Sequence, residues 1–431
     1  MKHITIWILV FTVGCATLSE DTGNWSQFRG SQSNQVPADG QYPIEWADDK
    51  NVQWKVKIPG QGWAAPIVWG DKVFIATAVK EESVEETKGK KDTDFVHRFE
   101  LYCLEKSTGK QLWRRVAFEG KPPIPRHPGN TYATETPVTD GERVYVYFGV
   151  MGVYCYDLDG NPVWEKSLGV YRMGSDWGTS SSPVLHDDLL FLQVDNEEAS
   201  FLVALDTKTG DQRWRVARDE PTSWGSPIIW NNTLRAELIT GGKKVRAYDP
   251  NTGALLWELN MMGGRSCTSP VADERHLYVG NEKRGDGGGF LFAVKPGAEG
   301  DITPPEGEST SDGVVWMQPK SGLSMASPLL YQDSIYVFER NGKVNCYNAV
   351  TGEPKYKKRI EGATKFWTSP WGYNDKVFAL DETGTTHVLS AGNEFEVLAQ
   401  NNIDDVFWAS VAASDGLLFL RGVNYVYCIR Q

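Results

Sequence analysis

The chain has 431 residues, a length that by itself allows two or three domains. Its formal charge is −12 with a pI near 5.1, and no run of Lys or Arg is long enough to track a phosphate backbone, which excludes nucleic acid as a partner. The mixed-sign stretch from Lys80 to Asp94 reads as a solvated loop.

The first residues read as a targeting segment rather than part of the fold. Met1-Lys2-His3 gives a charged start, Ile4 to Val13 an apolar run too short to span a bilayer, and Gly14-Cys15 a small residue before cleavage. The pattern resembles a bacterial lipoprotein signal, with Val13-Gly14-Cys15 at the end of the lipobox and Cys15 as the lipidated first residue. Thr12 stands where Leu is usual, so cleavage by an ordinary signal peptidase stays open. The chain then divides into a signal over 1–14, a polar tether over 15–24 and one body over 25–431.

Within that body Asn51 to Ile58 alternates apolar and polar residues around Trp54, the pattern of a strand. A small residue before Pro then recurs at Ala65-Pro66, Thr136-Pro137, Ser182-Pro183, Ser226-Pro227, Ser269-Pro270, Ser327-Pro328 and Ser369-Pro370, and Ser410-Val411 is a last member without Pro. Successive intervals are 71, 46, 44, 43, 58, 42 and 41 residues, which makes eight units. Downstream of each marker comes a second phrase, small residue, Asp, Thr-Gly, Trp. It is clean at Ala204, Asp206, Thr209, Gly210, Trp214 and at Ala247, Asp249, Thr252, Gly253, Trp257. Looser copies begin at Cys103, Cys155 and Cys346. Inside a unit the text is strand, turn, strand, as where Asp140-Gly141 separates two β-rich runs.

A period of 40 to 50 residues built from short strands means a radial or stacked array, because one unit cannot bury its own apolar face. The expected fold is all-β, an eight-bladed β-propeller of four-stranded blades. Polar insertions at Lys80 to Asp94, Glu119 to Thr131 and Gly297 to Gly313 read as surface loops. The repeat Trp is expected to dock on a neighbouring blade, with the small first residue of the phrase leaving room for the indole. The last unit stops at Cys428-Ile429-Arg430-Gln431, short of its final strand, and the Trp54 strand supplies it, closing the ring from the N-terminal side. Cys103, Cys155, Cys346 and Cys428 occupy the slot that Ala fills elsewhere and read as buried structural thiols.

From about Trp25 to Gln431 the Ala-x-Asp-x-x-Thr-Gly-x-x-x-Trp phrase resembles the repeat of the pyrroloquinoline-quinone (PQQ) enzyme-like β-propeller family. Its members include quinoprotein dehydrogenases and BamB, a non-catalytic lipoprotein of the β-barrel assembly machinery; the lipobox and eight units resemble the latter in layout. Trp25-Ser-Gln-Phe-Arg29-Gly30 and Gly60-Gln-Gly62-Trp63 resemble exported PQQ-like proteins. The dehydrogenase alternative implies PQQ with Ca²⁺ acting on an alcohol or sugar. Against it, this chain has no adjacent Cys-Cys pair, no Cys-x-x-Cys-His for a haem, and little length for loops around a cofactor. Glu135 and Asp176 are the carboxylates that would serve as base and cation ligand.

Three residues before each marker Pro lie Trp63, Thr134, Ser180, Trp224, Cys267, Met325 and Trp367, with Trp408 in the matching place before Val411. This position opens the innermost strand of each unit, so the four Trp are expected to form a partial aromatic ring at one mouth. Glu135, Arg172, Asp176, Arg265, Lys320, Lys365, Asp404 and Asp405 are expected at its polar rim. Such a mouth suits a small planar or sugar ligand, or a segment of an envelope protein. The expectation is a monomeric, non-catalytic binding or scaffold module with no cofactor. It is exported and held at the envelope by Cys15 or free in the periplasm, touching the membrane by that lipid anchor only.

Overall fold

In the computed structural model, which describes residues 23–37, 40–81, 91–264, 266–282 and 289–431, strand pairing gives eight separate antiparallel sheets arranged around one axis. The segment 1–22 lies outside the described residues, and with it the expected signal and Cys15. Each marker opens a blade. The first takes Ile67–Trp69, Lys72–Lys80, His97–Glu105 and Gln111–Gly120. The third shows the common form, Val184–His186, Leu189–Val194, Phe201–Asp206 and Gln212–Ala217. Inner strands are buried on both faces, as in Leu189–Val194, whereas outer strands alternate, as in Gln212–Ala217, because their far edge meets water.

The ring closes as expected. Val52–Val56 pairs with Val426–Ile429, setting Trp54 opposite Cys428 and Val56 opposite Val426, so the eighth sheet joins both ends of the chain. One blade departs from four strands. The insertion after Gly297 is not only a surface loop: Gly300–Asp301 adds a short parallel fifth strand to the fourth blade, opposite Trp257 and Glu258, and leaves Trp257 fully buried. Among the described residues no other blade has a fifth strand.

The repeat phrase works as an inter-blade latch. The Trp54, Trp113, Trp164, Trp214 and Trp316 indoles each donate to a backbone carbonyl of the next blade, at Lys106, Leu158, Thr207, Pro250 and Ala349, over 2.9 to 3.0 Å. Each covers the glycine of that blade's turn. A Cβ on Gly253, whose φ is +73°, would stand 2.8 Å from the Trp214 ring. The small first residue has a different position from the one expected. Ala204 lies opposite Trp214, and Cys103 opposite Trp113, within the same blade, because antiparallel register makes them cross-strand partners. Cys103, Cys155, Cys346 and Cys428 are buried and form no disulfide.

Candidate functional site

The eight positions three residues before the marker meet at one end of the axis. Trp63, Thr134, Ser180, Trp224, Cys267, Met325, Trp367 and Trp408 all line a central cavity of about 340 Å³. Two aromatic stacks build its walls. Trp408 of blade eight lies between its neighbours, 4.4 Å from Trp367 at 14° and 5.2 Å from Trp63 at 25°. The Arg340 guanidinium covers the next face, 4.7 Å from the Trp367 centroid. Across the cavity His127 stacks on Trp177 at 4.2 Å and 8°, and Trp177 leans on Trp224 at 6.1 Å. Two indoles are pinned from outside, Trp63 donating to the Gly129 carbonyl at 3.3 Å and Trp224 to that of Gly178 at 2.9 Å.

Below the aromatics runs a collar of hydroxyls. Thr136, Ser182, Ser226, Ser269, Ser327, Ser369 and Ser410, the residues directly before the marker Pro or Val411, all line the cavity. Their oxygens accept backbone N–H groups from the preceding blade: Ala65 to Thr136 at 3.0 Å, Thr136 to Ser182 at 3.0 Å, Ser182 to Ser226 at 2.9 Å and Ser226 to Ser269 at 2.9 Å. Ser269 to Ser327 and Ser369 to Ser410 continue it at 3.0 Å. A hydroxyl at this slot therefore ties blade to blade where no backbone ladder can.

The far end is closed by the segment Trp25 to Gln35. Trp25 exchanges two 2.8 Å backbone hydrogen bonds with Val68, and Phe28 forms part of the cavity floor. Arg29, fully buried at φ +65°, donates to the carbonyls of Pro270 at 2.9 Å and Pro328 at 2.5 Å, while Gln35 donates to that of Val411. The plug thus binds the marker residues of three blades. With no carboxylate beside it among the described residues, the Arg29 guanidinium is pushed down to about 9 by burial.

The expected rim divides. Lys365 lines the cavity, paired with Glu382 at 3.1 Å. Glu135 is a correction: in an extended chain its neighbours Thr134 and Thr136 face the cavity, so its own side chain points away and is buried. Desolvation raises that carboxyl to about 7, and Oε1 has no hydrogen-bond partner. Arg172 stands outside the cavity lining, 76% exposed and paired with Glu198 at 3.2 Å. Asp176 and Lys320 are exposed at positive φ, beyond the lining. Asp404 is exposed outside it too, and Asp405 turns inward to accept from the backbone of Val406, Asn424 and Tyr425. Arg265 lies outside the described residues. Sequence reasoning missed Phe28, His127, Trp177, Glu282, Arg340 and Glu382, which also line the cavity. Only the hydroxyl collar had a signal to find it, Ser or Thr before seven of the eight markers.

A calcium-bound quinone needs a hard-oxygen cage and an open aromatic face. Among the described residues no three His, Cys, Asp or Glu side chains converge to supply such a cage. The described lining does not fit that group.

A family model described as outer membrane protein assembly factor BamB matches residues 97–269. The tetrathionate hydrolase of Acidithiobacillus ferrooxidans is 24% identical over 42% of this chain and 36% of its own length. The outer membrane protein assembly factor BamB of Alkalilimnicola ehrlichii is 28% identical over 38% and 40%. These alignments therefore span less than half of either relative. Among solved structures, BamB from Moraxella catarrhalis superposes with a TM-score of 0.61 at 13% identity, covering 88% of this chain and 97% of that one. Quinohemoprotein alcohol dehydrogenase from Comamonas testosteroni gives 0.62 at 12% identity, over 95% and 80%. At such identities the likeness is one of fold.

Proposed function

Since the chain is a β-propeller of PQQ-like repeats, we propose that it is a non-catalytic binding module of the bacterial cell envelope, taking a ligand or a partner segment into its central funnel. The observation that carries this reading is the funnel itself, walled by Trp63, Trp224, Trp367 and Trp408 and closed below by the Phe28–Arg29 plug. A cavity with one mouth, apolar walls and a few polar groups is the common form of a binding site. The family model's description, an outer membrane assembly factor, supports an envelope setting. In this reading the protein is exported and monomeric, held by a lipid on Cys15 or released into the periplasm, and needs no cofactor.

The test has two arms. Photo-crosslinkers placed at Lys365, in the lining, and at Asp176, next to the lining Trp177, should capture a discrete envelope component in the native cell, and capture should fail when Trp224 and Trp367 are both Ala. Purified protein is then incubated with PQQ and Ca²⁺ and followed by quinone absorbance and dye-linked oxidation of alcohols and aldoses. Turnover that is lost on chelation would replace the binding module with a dehydrogenase.

A further inference from the structure

The funnel is unusual in what its aromatic rings leave exposed. Trp408 spends both faces on Trp63 and Trp367, Trp367 spends its second face on Arg340, and Trp177 gives one to His127. The four Trp line the cavity and are half-buried, so in the Trp408–Trp367 stack what reaches the lumen is the ring edge. An aromatic ring is negative on its face and positive at its edge. This wall therefore favours neither a cation nor a flat ring seeking an empty slot.

Donors dominate the remaining polar lining. Arg340 is exposed and has no carboxylate partner among the described residues, its guanidinium resting on Trp367. The seven collar hydroxyls are each more than nine-tenths buried, and six of their oxygens, all but that of Ser369, accept backbone N–H groups. No acceptor for their own O–H protons occurs among the described residues, so the protons are available to the lumen. Against these stand two carboxylates, Glu382, tied to Lys365, and Glu282. Although the whole chain carries −12, the funnel is lined mainly by hydrogen-bond donors and positive ring edges.

We propose that the funnel is an oxyanion site for a hydroxyl-rich carboxylic acid of the sugar-acid class, a proposal that rests on the binding-module reading. The carboxylate pairs with Arg340 beside the Trp367 stack. The ligand's hydroxyls exchange hydrogen bonds with the collar, whose groups can donate and also accept, and its C–H groups lie against the Phe28 floor. A cavity of about 340 Å³ holds a ligand of one or two rings. The specificity is for charge and hydroxyl content together, since a carboxylate alone would leave the collar unmatched and a neutral sugar would leave Arg340 unmatched.

The experiment is calorimetric titration of the full chain with digalacturonate and with its dimethyl ester, which keeps every hydroxyl and removes the charge. The acid should bind at least about ten-fold more tightly than the ester, and that advantage should shrink with added salt. Arg340→Met, at an exposed position, should abolish the preference while the ester's affinity stays as it was. Ser369→Ala, checked for an unchanged melting temperature, should weaken both. Equal affinity for acid and ester, or an acid preference that survives Arg340→Met, overturns the assignment. If neither sugar binds but mouth crosslinking to an envelope component persists, the sugar-acid assignment fails and the binding module stands. If crosslinking fails as well, both fall.

Discussion

Glu135 offers the sharpest test of the packing described above. Its carboxyl sits behind the cavity wall, wholly buried, with one oxygen unpartnered, and burial lifts it from an ordinary 4.5 to about 7. Burial likewise raises the neighbouring Tyr147 phenol, with the Glu135 charge as a further cause. Below pH 4.5 the carboxyl is protonated in both folded and unfolded chains and costs nothing. Between 4.5 and about 7 the unfolded chain ionises while the folded one keeps its proton, so stability falls as pH rises and stays lower above. At about 1.4 kcal/mol per pH unit, that interval is worth about 3 kcal/mol. Glu135→Gln removes the titration, so the variant's stability relative to the parent should improve by about 3 kcal/mol between pH 4 and pH 8. For a chain of this size that is a Tm difference of about 3 °C, measured by paired calorimetric scans at half-unit pH steps. Parallel Tm profiles for the two proteins would mean that Glu135 ionises inside the fold, and the argument from desolvation would be lost.

Other consequences follow from the latch, the closure, the mouth and the leader. Deleting residues 51–58 strips the eighth blade of its fourth strand and of the Trp54 latch, and should cause aggregation or a large fall in Tm. A parental melting curve would show that the ring closes otherwise. Trp214→Ala should cost about 3–5 kcal/mol by chemical denaturation, and a cost below about 1 kcal/mol would remove the latch from the list of stabilising contacts. Trp224→Ala and Trp367→Ala should each weaken ligand or partner capture by more than about 1 kcal/mol while leaving the fold intact. Collapse of the fold instead would make these rings packing residues alone. If Cys15 carries a lipid, Cys15→Ser should move the protein from the membrane to the soluble fraction and abolish labelling by a palmitate analogue. Unchanged partition would end the anchor proposal.

What the amino-acid sequence determined by itself is whatever repeats in it. Eight markers, 41 to 46 residues apart except across two insertions, specified eight blades, and the Trp54 strand carried the pattern of the outer strand that it forms beside Val426–Ile429. Even the lining of the funnel was legible, since a residue at a fixed offset in each blade must reach the same radius of the ring, and all eight such positions do. The rim was not. Glu135 lies one residue from that offset and Asp176 four, and whether a side chain faces the axis depends on strand alternation and turn geometry at that one place. Contacts between residues far apart in the chain had no signal at all: Arg29 on Pro270 and Pro328, Arg340 over Trp367, and the fifth strand beside Trp257. A repeat encodes the part of the structure that is symmetric. The plug, the insertions and the stacking of particular rings break that symmetry, and only the closed ring brings them into contact.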